Sequence, residues 1–198
     1  MMKKAICMVL AAALLFSCDG GKTAEEPSGD SVKVVVKPLD EIPGIYEICG
    51  TIGEGTSMNV VECITADGDT VYIENAQAVK GGLRIGDEVE IIYNVSKDAN
   101  VASVAVNLSA LQHLWSQRGL DGRRQSLELD SRGRVTTYDM NVDYDSWEVK
   151  DGVLLLRSPF KPGEEKPAAV DTFEIMMLTR DSLVLVHGNL MTEFERYN

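Results

Sequence analysis

Histidine and cysteine are scarce, with only two histidines and four cysteines among 198 residues. Neither His113 nor His187 has a serine or cysteine nearby in a nucleophile context. The chain also has no Gly-x-Ser-x-Gly, no phosphate-binding glycine loop and no His-Glu-x-x-His. The acids from Asp139 to Asp145 resemble the start of a calcium loop, but Tyr144 and Lys150 stand where an EF-hand needs glycine and glutamate. These absences predict a protein that is not an enzyme and that holds neither a metal nor another cofactor.

Basic residues are also few: 19 Lys and Arg stand against 31 Asp and Glu, for a net charge of −12. If Lys3 and Lys4 leave with a cleaved leader, 17 basic residues remain and the charge becomes −14. From 38 to 107 the imbalance is steeper, with twelve acids against Lys80, Arg84 and Lys97. Such a surface repels a phosphate backbone and excludes nucleic acid as a partner. It favours a cationic partner, or it serves solubility alone.

No apolar run is long enough to cross a bilayer as a helix, which takes about 20 residues. The uncharged run from Ala5 to Phe16 has twelve, and it follows a basic start, as in a secretory signal peptide over 1–17. Leu15-Phe16-Ser17 before Cys18 resembles a lipobox, although Phe16 is bulkier than usual at its position. The resemblance implies that Cys18 is acylated and becomes the mature N-terminus. The alternative is an ordinary signal peptide with an incidental cysteine.

The residues from 18 to 37 are mostly polar, with three glycines and Pro27 as helix and strand breakers, which predicts a flexible tether. We therefore expect a protein of the cell envelope that is attached to a membrane through the lipid on Cys18. It is anchored to the outer membrane, or it faces the periplasm or the cell surface. Cys49 and Cys63 remain after processing and lie equidistant from the turn Gly55-Thr56-Ser57. A disulfide between them is a candidate, since the envelope permits disulfides and a hairpin can place two cysteines opposite each other.

Short runs that alternate apolar with polar residues fill the chain after Pro38, which predicts an all-β fold. The first module, 38–107, has three such runs, a weakly helical linker over 75–80, and two more runs. This order resembles a five-stranded OB-fold or a similar small barrel. The second module, 109–198, begins with one or two turns of helix and continues with eight runs joined by tight turns such as Asp151-Gly152. An unbroken meander of eight strands predicts a closed up-and-down barrel.

The second module resembles the small lipocalin-like domains of envelope lipoproteins. Six stretches carry the likeness: Leu114-Trp115, Gly133–Met140, Tyr144–Val149, Asp151–Leu156, Asp171–Ile175 and Leu178–Leu185. His113 stands where a long-form lipocalin has the glycine of Gly-x-Trp. The resemblance implies a barrel that holds a small apolar ligand, without indicating which one.

The large side chains expected to point inward predict a filled or shallow interior rather than a deep pocket. The candidate lining residues for a ligand are Trp115, Leu127, Met140, Trp147, Phe173, Ile175 and Leu183. Three strand runs, 153–156, 175–178 and 183–186, are apolar on both faces. Their outer faces predict an apolar patch that the first module, the 109–114 helix, a second copy or an envelope partner covers.

The sequence thus favours a lipid-anchored, non-enzymatic binding protein of the cell envelope with a lipocalin-like domain. The alternative is a protein–protein interaction module or accessory subunit of an envelope assembly. One form of that alternative is capture of a cationic protein, as some lysozyme-inhibiting lipoproteins do. Ligand identity and oligomeric state stay open.

Overall fold

The computed structural model describes residues 44–74, 79–95, 99–119, 122–159 and 169–197, all of which belong to one compact unit. Its strands form two separate sheets, as the all-β prediction requires. In the described part of the chain no helix has the length and apolar character needed to span a membrane. The predicted signal peptide, the tether and Cys18 lie outside the described residues. The module boundaries 38–107 and 109–198 stay predictions, and each of these two ranges contains one sheet.

The first sheet closes into a small barrel. Its strands are β1 (Gly44–Ile52), β2 (Val60–Ile64), β3 (Thr70–Glu74), β4 (Val79–Lys80), β5 (Glu88–Val95) and β6 (Asn100–Asn107). Five of them pair in the ring β1–β2–β3–β6–β5, with β3 and β6 parallel and the other pairs antiparallel. This is the predicted five-stranded barrel with the strand order of an OB-fold. The remaining strand, β4, lies parallel to β6 outside the ring.

The linker of the first barrel differs from its prediction. A weak helix was expected over 75–80, but Val79 and Lys80 form strand β4. Residues 75–78 lie outside the described residues. Both Val79 and Lys80 pair with β6, and hydrogen bonding to a neighbouring strand outweighs weak helix propensity.

Alternation along the strands fills the first barrel with apolar side chains. Its buried core consists of Ile52, Val61, Cys63, Ile73, Val89, Ile91, Tyr93, Val95, Ala102 and Ala105. In β5, Val89 and Ile91 point inward while Glu90 between them points outward, as the period of two requires. The outward face of β5 and β6 is therefore available to pack against another element.

The candidate disulfide between Cys49 and Cys63 is absent: the structure does not bridge the two thiols. The β1–β2 hairpin pairs Cys63 with Ile52, three residues from Cys49. Its loop wraps around Glu62, whose Oε2 accepts a hydrogen bond from the Gly55 amide at 2.6 Å and whose carbonyl accepts one from the Gly53 amide at 2.9 Å. This register shift breaks the symmetry about Gly55-Thr56-Ser57 on which the prediction rested.

The two thiols also face opposite sides of the sheet. Cys49 is exposed, whereas Cys63 is fully buried in the barrel core. Burial raises the pKa of the Cys63 thiol to about 11. Cys63 therefore acts as a small core residue that stays protonated at neutral pH.

A single helical turn connects the two sheets. Helix α1 spans Leu108–Leu111, and Asn107 caps it by accepting a hydrogen bond from the Ala110 amide at 2.8 Å. The Asn107 amide group also donates to the Gly82 carbonyl at 2.8 Å and to Asp87 Oδ2 at 2.6 Å. Asn107 thus fixes the end of the first barrel and the start of the second at once.

The second sheet is an up-and-down meander of eight strands. They are β7 (Leu114–Arg118), β8 (Arg124–Leu129), β9 (Val135–Tyr138), β10 (Ser146–Lys150), β11 (Val153–Arg157), β12 (Val170–Leu178), β13 (Ser182–His187) and β14 (Leu190–Arg196). Each strand pairs with the next in the chain except at β9–β10, and β14 returns to β7. This confirms the predicted eight-stranded antiparallel barrel.

Two seams close this barrel with few bonds. Strands β14 and β7 share two residue pairs, Glu195 with Ser116 and Arg196 with Trp115. Between β9 and β10 one bridge joins Arg134 to Ser146. By comparison, β10–β11 has five pairs and β13–β14 has six. The barrel is therefore nearly closed rather than uniformly paired.

The two barrels meet at a contact that we call the joint. It comprises Lys80, Gly81, Glu90, Ile92, Val104 and Val106 of the first barrel and Gly152, Ile175 and Leu178 of the second. The Gly81 amide donates to the Leu178 carbonyl at 2.9 Å, and the Lys80 ammonium donates to the Ile175 carbonyl. An added Cβ at Gly81 would lie 2.9 Å from Leu178 Cδ2, which shows how closely the Leu178 side chain packs against the Gly81 backbone.

Candidate ligand-binding site

The predicted lining residues come together inside the second barrel. Trp115, Leu127, Ile175 and Leu183 are at most 1% exposed, and Trp147 is 8% exposed. Met140 and Phe173 are only partly buried and pack against the same cluster. The sequence thus identified one contiguous set, of which five members are core and two lie at its edge.

Hydrogen bonds fix both tryptophans in the core. Trp115 Nε1 donates to the Leu111 carbonyl at 2.8 Å, and Trp147 Nε1 donates to the Asp130 carbonyl at 2.9 Å. A buried indole N–H needs such a partner, and its loss would leave an unpaired donor in the core. Both rings are therefore structural side chains of the barrel interior.

One end of the second barrel is covered by other parts of the chain. We call it the proximal end; β8, β10, β12 and β14 finish there. Leu111 of α1 and Val106 of β6 belong to the same buried cluster as Trp115, and Val104 packs against it. The hairpin turn Asp151-Gly152 has positive φ at both residues, 54° and 74°, as the Asp-Gly signal predicted. This turn contacts the first barrel, so a ligand has no entry here between the described elements.

The opposite, distal end, where β7, β9, β11 and β13 finish, carries a cluster of rings. The Tyr144 and Phe173 centroids are 6.5 Å apart in an edge-to-face arrangement, and those of Phe173 and His187 are 5.1 Å apart. Exposure rises along this series: Tyr144 is buried, Phe173 is half-buried and His187 is exposed. We call these three residues the distal ring cluster. It offers a half-buried aromatic surface above the packed core.

Polar contacts hold the distal ring cluster in place. Tyr144 Oη donates to Asp171 Oδ2 at 2.6 Å. Burial and this hydrogen bond raise the pKa of Tyr144, so its hydroxyl stays a donor. His187 Nδ1 lies 3.0 Å from the Thr172 carbonyl. These two contacts fix the positions of the Tyr144 and His187 rings on either side of Phe173.

Sequence reasoning did not assign Tyr144, Asp171 or His187 to a site. They come from the β9–β10 loop, β12 and β13, and only the fold brings them together. One signal was present: Asp171 and Phe173 share a face of β12 by the period of two, and His187 ends the next strand.

A cavity of about 260 Å³ opens in the barrel wall beside β7, β8 and β14. Its lining is polar: Ser116, Gln117, Arg118, Arg124, Glu193 and Glu195. None of the seven predicted lining residues borders it. The described residues also contain no cluster of His, Cys, Asp or Glu that could hold a metal ion.

The outer wall of the second barrel is partly apolar, as its sequence indicated. Met176 and Met177, at a bulge in β12, are 52% and 40% exposed, and Met191 on β14 is 68% exposed. At the end of β12, Leu178 is buried and bonded to the first barrel. The first barrel thus contacts β12 at Leu178, whereas the methionines on the outer wall are accessible.

Comparison with known families finds a match in the second barrel. The family model of lipocalin-like proteins matches residues 109–197. A crystal structure of a lipocalin-like protein from Bacteroides thetaiotaomicron aligns at 25% sequence identity over 44% of this chain and 97% of that chain, with a TM-score of 0.37. No curated protein matches the sequence. The C-terminal part of the chain, from 109 to 197, is therefore a lipocalin-like domain.

Proposed function

We propose that the protein is a lipid-anchored, non-enzymatic binding protein of the cell envelope whose lipocalin-like barrel binds a small apolar ligand at its distal end. The observation that carries this is the distal ring cluster, in which the half-buried Phe173 lies between Tyr144 and His187. Binding an apolar ligand to such rings is favourable, because the ligand removes their remaining exposed surface from water.

The packed interior limits how deeply such a ligand enters. Trp115, Leu127 and Ile175 already fill the barrel below the rings. An eight-stranded barrel has room for its own side chains or for one small ligand. The ligand therefore lies on the rings, with Met140 at its edge, rather than in a deep pocket. Thioether side chains adapt their shape and suit such a contact.

Three properties of this proposal rest on the sequence. Acylation of Cys18 attaches the protein to a membrane, and the residues from 18 to 37 keep the barrels away from its surface. The absence of nucleophile and metal motifs supports a role without catalysis. The net negative charge favours neutral or cationic ligands over anionic ones.

The test is titration of the full chain with the neutral fluorescent probe N-phenyl-1-naphthylamine. We expect saturable binding of one probe per chain and its displacement by an uncharged long-chain alcohol. Phe173→Ala should weaken binding at least about tenfold, because it removes the central ring; this loss corresponds to about 1.4 kcal/mol. Val170→Ala is the matched control, since Val170 lies on the same strand but points outward. Equal affinity of both variants, or no saturable binding, would reject the proposed site.

A second candidate function is docking of an envelope protein on the outer wall of the second barrel. The methionines support it, because Met177 pairs with Val184 and Met191 with Val186 on adjacent strands, which forms a continuous apolar surface. The acidic charge adds attraction for a cationic protein such as a lysozyme. Met177→Glu with Met191→Glu should abolish docking while probe binding persists. If a lysozyme does not bind even at low salt, the proposal that the docked partner is a cationic protein is rejected.

A further inference from the structure

Glu90 is a buried carboxyl group in the joint between the two barrels. Glu90 lies on the outward face of β5, and it is only 1% exposed. Glu90 Oε1 accepts a hydrogen bond from the Gly152 amide of the second barrel at 2.9 Å, while Oε2 is buried without a hydrogen-bond partner. A buried carboxylate with one unsatisfied oxygen is costly, whereas the protonated acid is much less so.

The surroundings of Glu90 add no compensating positive charge. Strand β6, which pairs with Glu90 at Val106, has no titratable group. The other surrounding elements carry Glu47 and Cys49 on β1, Glu88 on β5, Lys80 on β4, and Glu148, Lys150 and Asp151 on the β10–β11 hairpin. Of these, Glu47, Asp151 and Glu148 act on Glu90 as like charges. The Lys80 ammonium is bonded to the Ile175 carbonyl instead.

Burial is the main cause that raises the pKa of Glu90, to about 7. The Gly152 hydrogen bond lowers this pKa, and the charges of Glu47, Asp151 and Glu148 raise it further. No cluster in the described residues is able to hold a metal that would replace the proton. The buried, unpaired Oε2 is the atom that takes up the proton.

The hydrogen bond from Gly152 lies where the two barrels pack closely against each other. A Cβ added at Gly152 would lie 2.9 Å from Val104 Cγ1 and 3.6 Å from Ile92 Cδ1. Val104 in turn packs against the core of the second barrel. Any change in the charge of Glu90 therefore acts directly on the contact that covers the proximal end.

We propose that the joint is a proton-sensitive contact: the joint closes over the protonated Glu90, and ionisation of Glu90 places a buried charge among like charges and loosens the two barrels from each other. This goes beyond ligand binding, since it gives the pair of barrels a response to the pH of the compartment in which they lie.

The direction and window follow from the two states of Glu90. In the opened joint the carboxyl regains its ordinary pKa of 4.5, whereas in the closed joint the pKa is about 7. The closed joint therefore binds the proton more tightly than the opened joint does. Protonation of Glu90 stabilises the closed joint fully below pH 4.5. The opening constant rises about tenfold per pH unit between those two values and levels off above pH 7.

Amide hydrogen exchange of the full chain in detergent micelles, resolved by NMR, tests this. We expect the protection factor of the Gly152 amide to fall about tenfold per pH unit from about pH 5 to pH 7 and then to stay constant. Glu90→Gln keeps the accepting oxygen without the charge, so its protection factor should not change with pH. Glu74→Gln, an exposed glutamate on β3, is the control and should behave as the unmodified chain does. Protection that is independent of pH in the unmodified chain overturns the proposal.

A second measurement decides the matter even if Glu90→Gln fails to fold. The ¹³C shift of the Glu90 carboxyl should titrate near pH 7 in the folded chain. Asp151→Asn removes a like charge from the facing turn and should lower that midpoint. A midpoint near 4.5 in the folded chain, or one that Asp151→Asn leaves unchanged, overturns the proposal.

Discussion

The two ends of the lipocalin-like barrel differ in what covers them. At the proximal end, Leu111 and Val106 complete the core, and the hairpin turn at Gly152 is bonded to the first barrel. At the distal end the rings of Tyr144, Phe173 and His187 become progressively more exposed. The same eight strands thus have one end buried by the chain itself and one end available to a ligand.

This difference teaches how the chain divides stability from binding. Burial at the proximal end contributes to folding and leaves nothing for a ligand to gain. The partial burial of Phe173 contributes less to folding but leaves surface that a ligand can cover. Substitutions at the two ends should therefore separate the two properties, and the following predictions are ordered from the largest effect to the smallest.

Trp115→Ala should destabilise the protein most, by about 3 to 5 kcal/mol, because it empties a fully buried site and removes the bond to the Leu111 carbonyl. Urea denaturation followed by circular dichroism measures the loss. Trp115→Phe keeps most of the volume and should cost clearly less. If the alanine variant loses under about 1 kcal/mol, the proximal end is not the stable one.

Gly152→Ala should cost about 2 to 4 kcal/mol. The residue has φ of 74°, and its new Cβ would meet Val104 Cγ1 at 2.9 Å across the joint. Gly188→Ala in the distal β13–β14 turn is a matched control, since its φ is 60° and no atom lies within 4 Å of the added Cβ. It should cost only about 1 to 2 kcal/mol. Equal losses of stability at the two turns would show that contact with Val104 adds nothing to the cost of the substitution at Gly152.

Phe173→Ala should lower stability by only about 1 to 2 kcal/mol, because the ring is half-buried. The same variant should lose most of its affinity for the apolar probe. Thermal unfolding and probe titration on one preparation compare the two quantities. A large loss of stability with unchanged affinity would reverse the roles assigned to the ends.

Tyr144→Phe should have the smallest effect, about 0.5 to 1.5 kcal/mol, since it removes one hydrogen bond to Asp171 and keeps the ring. The pKa of Tyr144 is raised by burial and by Asp171, so the hydroxyl is protonated in the folded and unfolded chain near neutral pH. The loss should therefore be the same at about pH 6 and pH 8. Urea midpoints at both pH values check this.

The period of two and the turn residues predicted most of the fold. They indicated the strands of both sheets, the meander of the second barrel and the Asp151-Gly152 turn, because these features depend on neighbours in the chain. The order of strands in the first barrel came from its resemblance to an OB-fold, since β1–β5 and β3–β6 join distant segments. The burial of Trp115, Leu127 and Ile175 in one cluster was predictable from the same period of two, whereas their role as a ligand lining stays a prediction. Alternation shows which side chains share a face before the partners of that face are known.

What depends on exact register or distant contacts was not predictable. The pairing of Cys63 with Ile52 follows from how the loop wraps around Glu62, and counting residues from a turn does not reveal this. Likewise, Glu90 reads in the sequence as an ordinary outward residue of a strand. Only the docking of the second barrel buries it.

The two narrow seams of the lipocalin-like barrel divide its circumference into unequal panels. One panel holds the five strands from β10 to β14, and the other holds β7, β8 and β9. Within each panel neighbouring strands share four or more residue pairs, whereas β14–β7 shares two and β9–β10 has a single bridge. Widening the bore requires breaking the fewest backbone bonds when the panels separate at these seams. A ligand larger than the gaps among the core side chains would therefore enter through a change in the angle between the two panels.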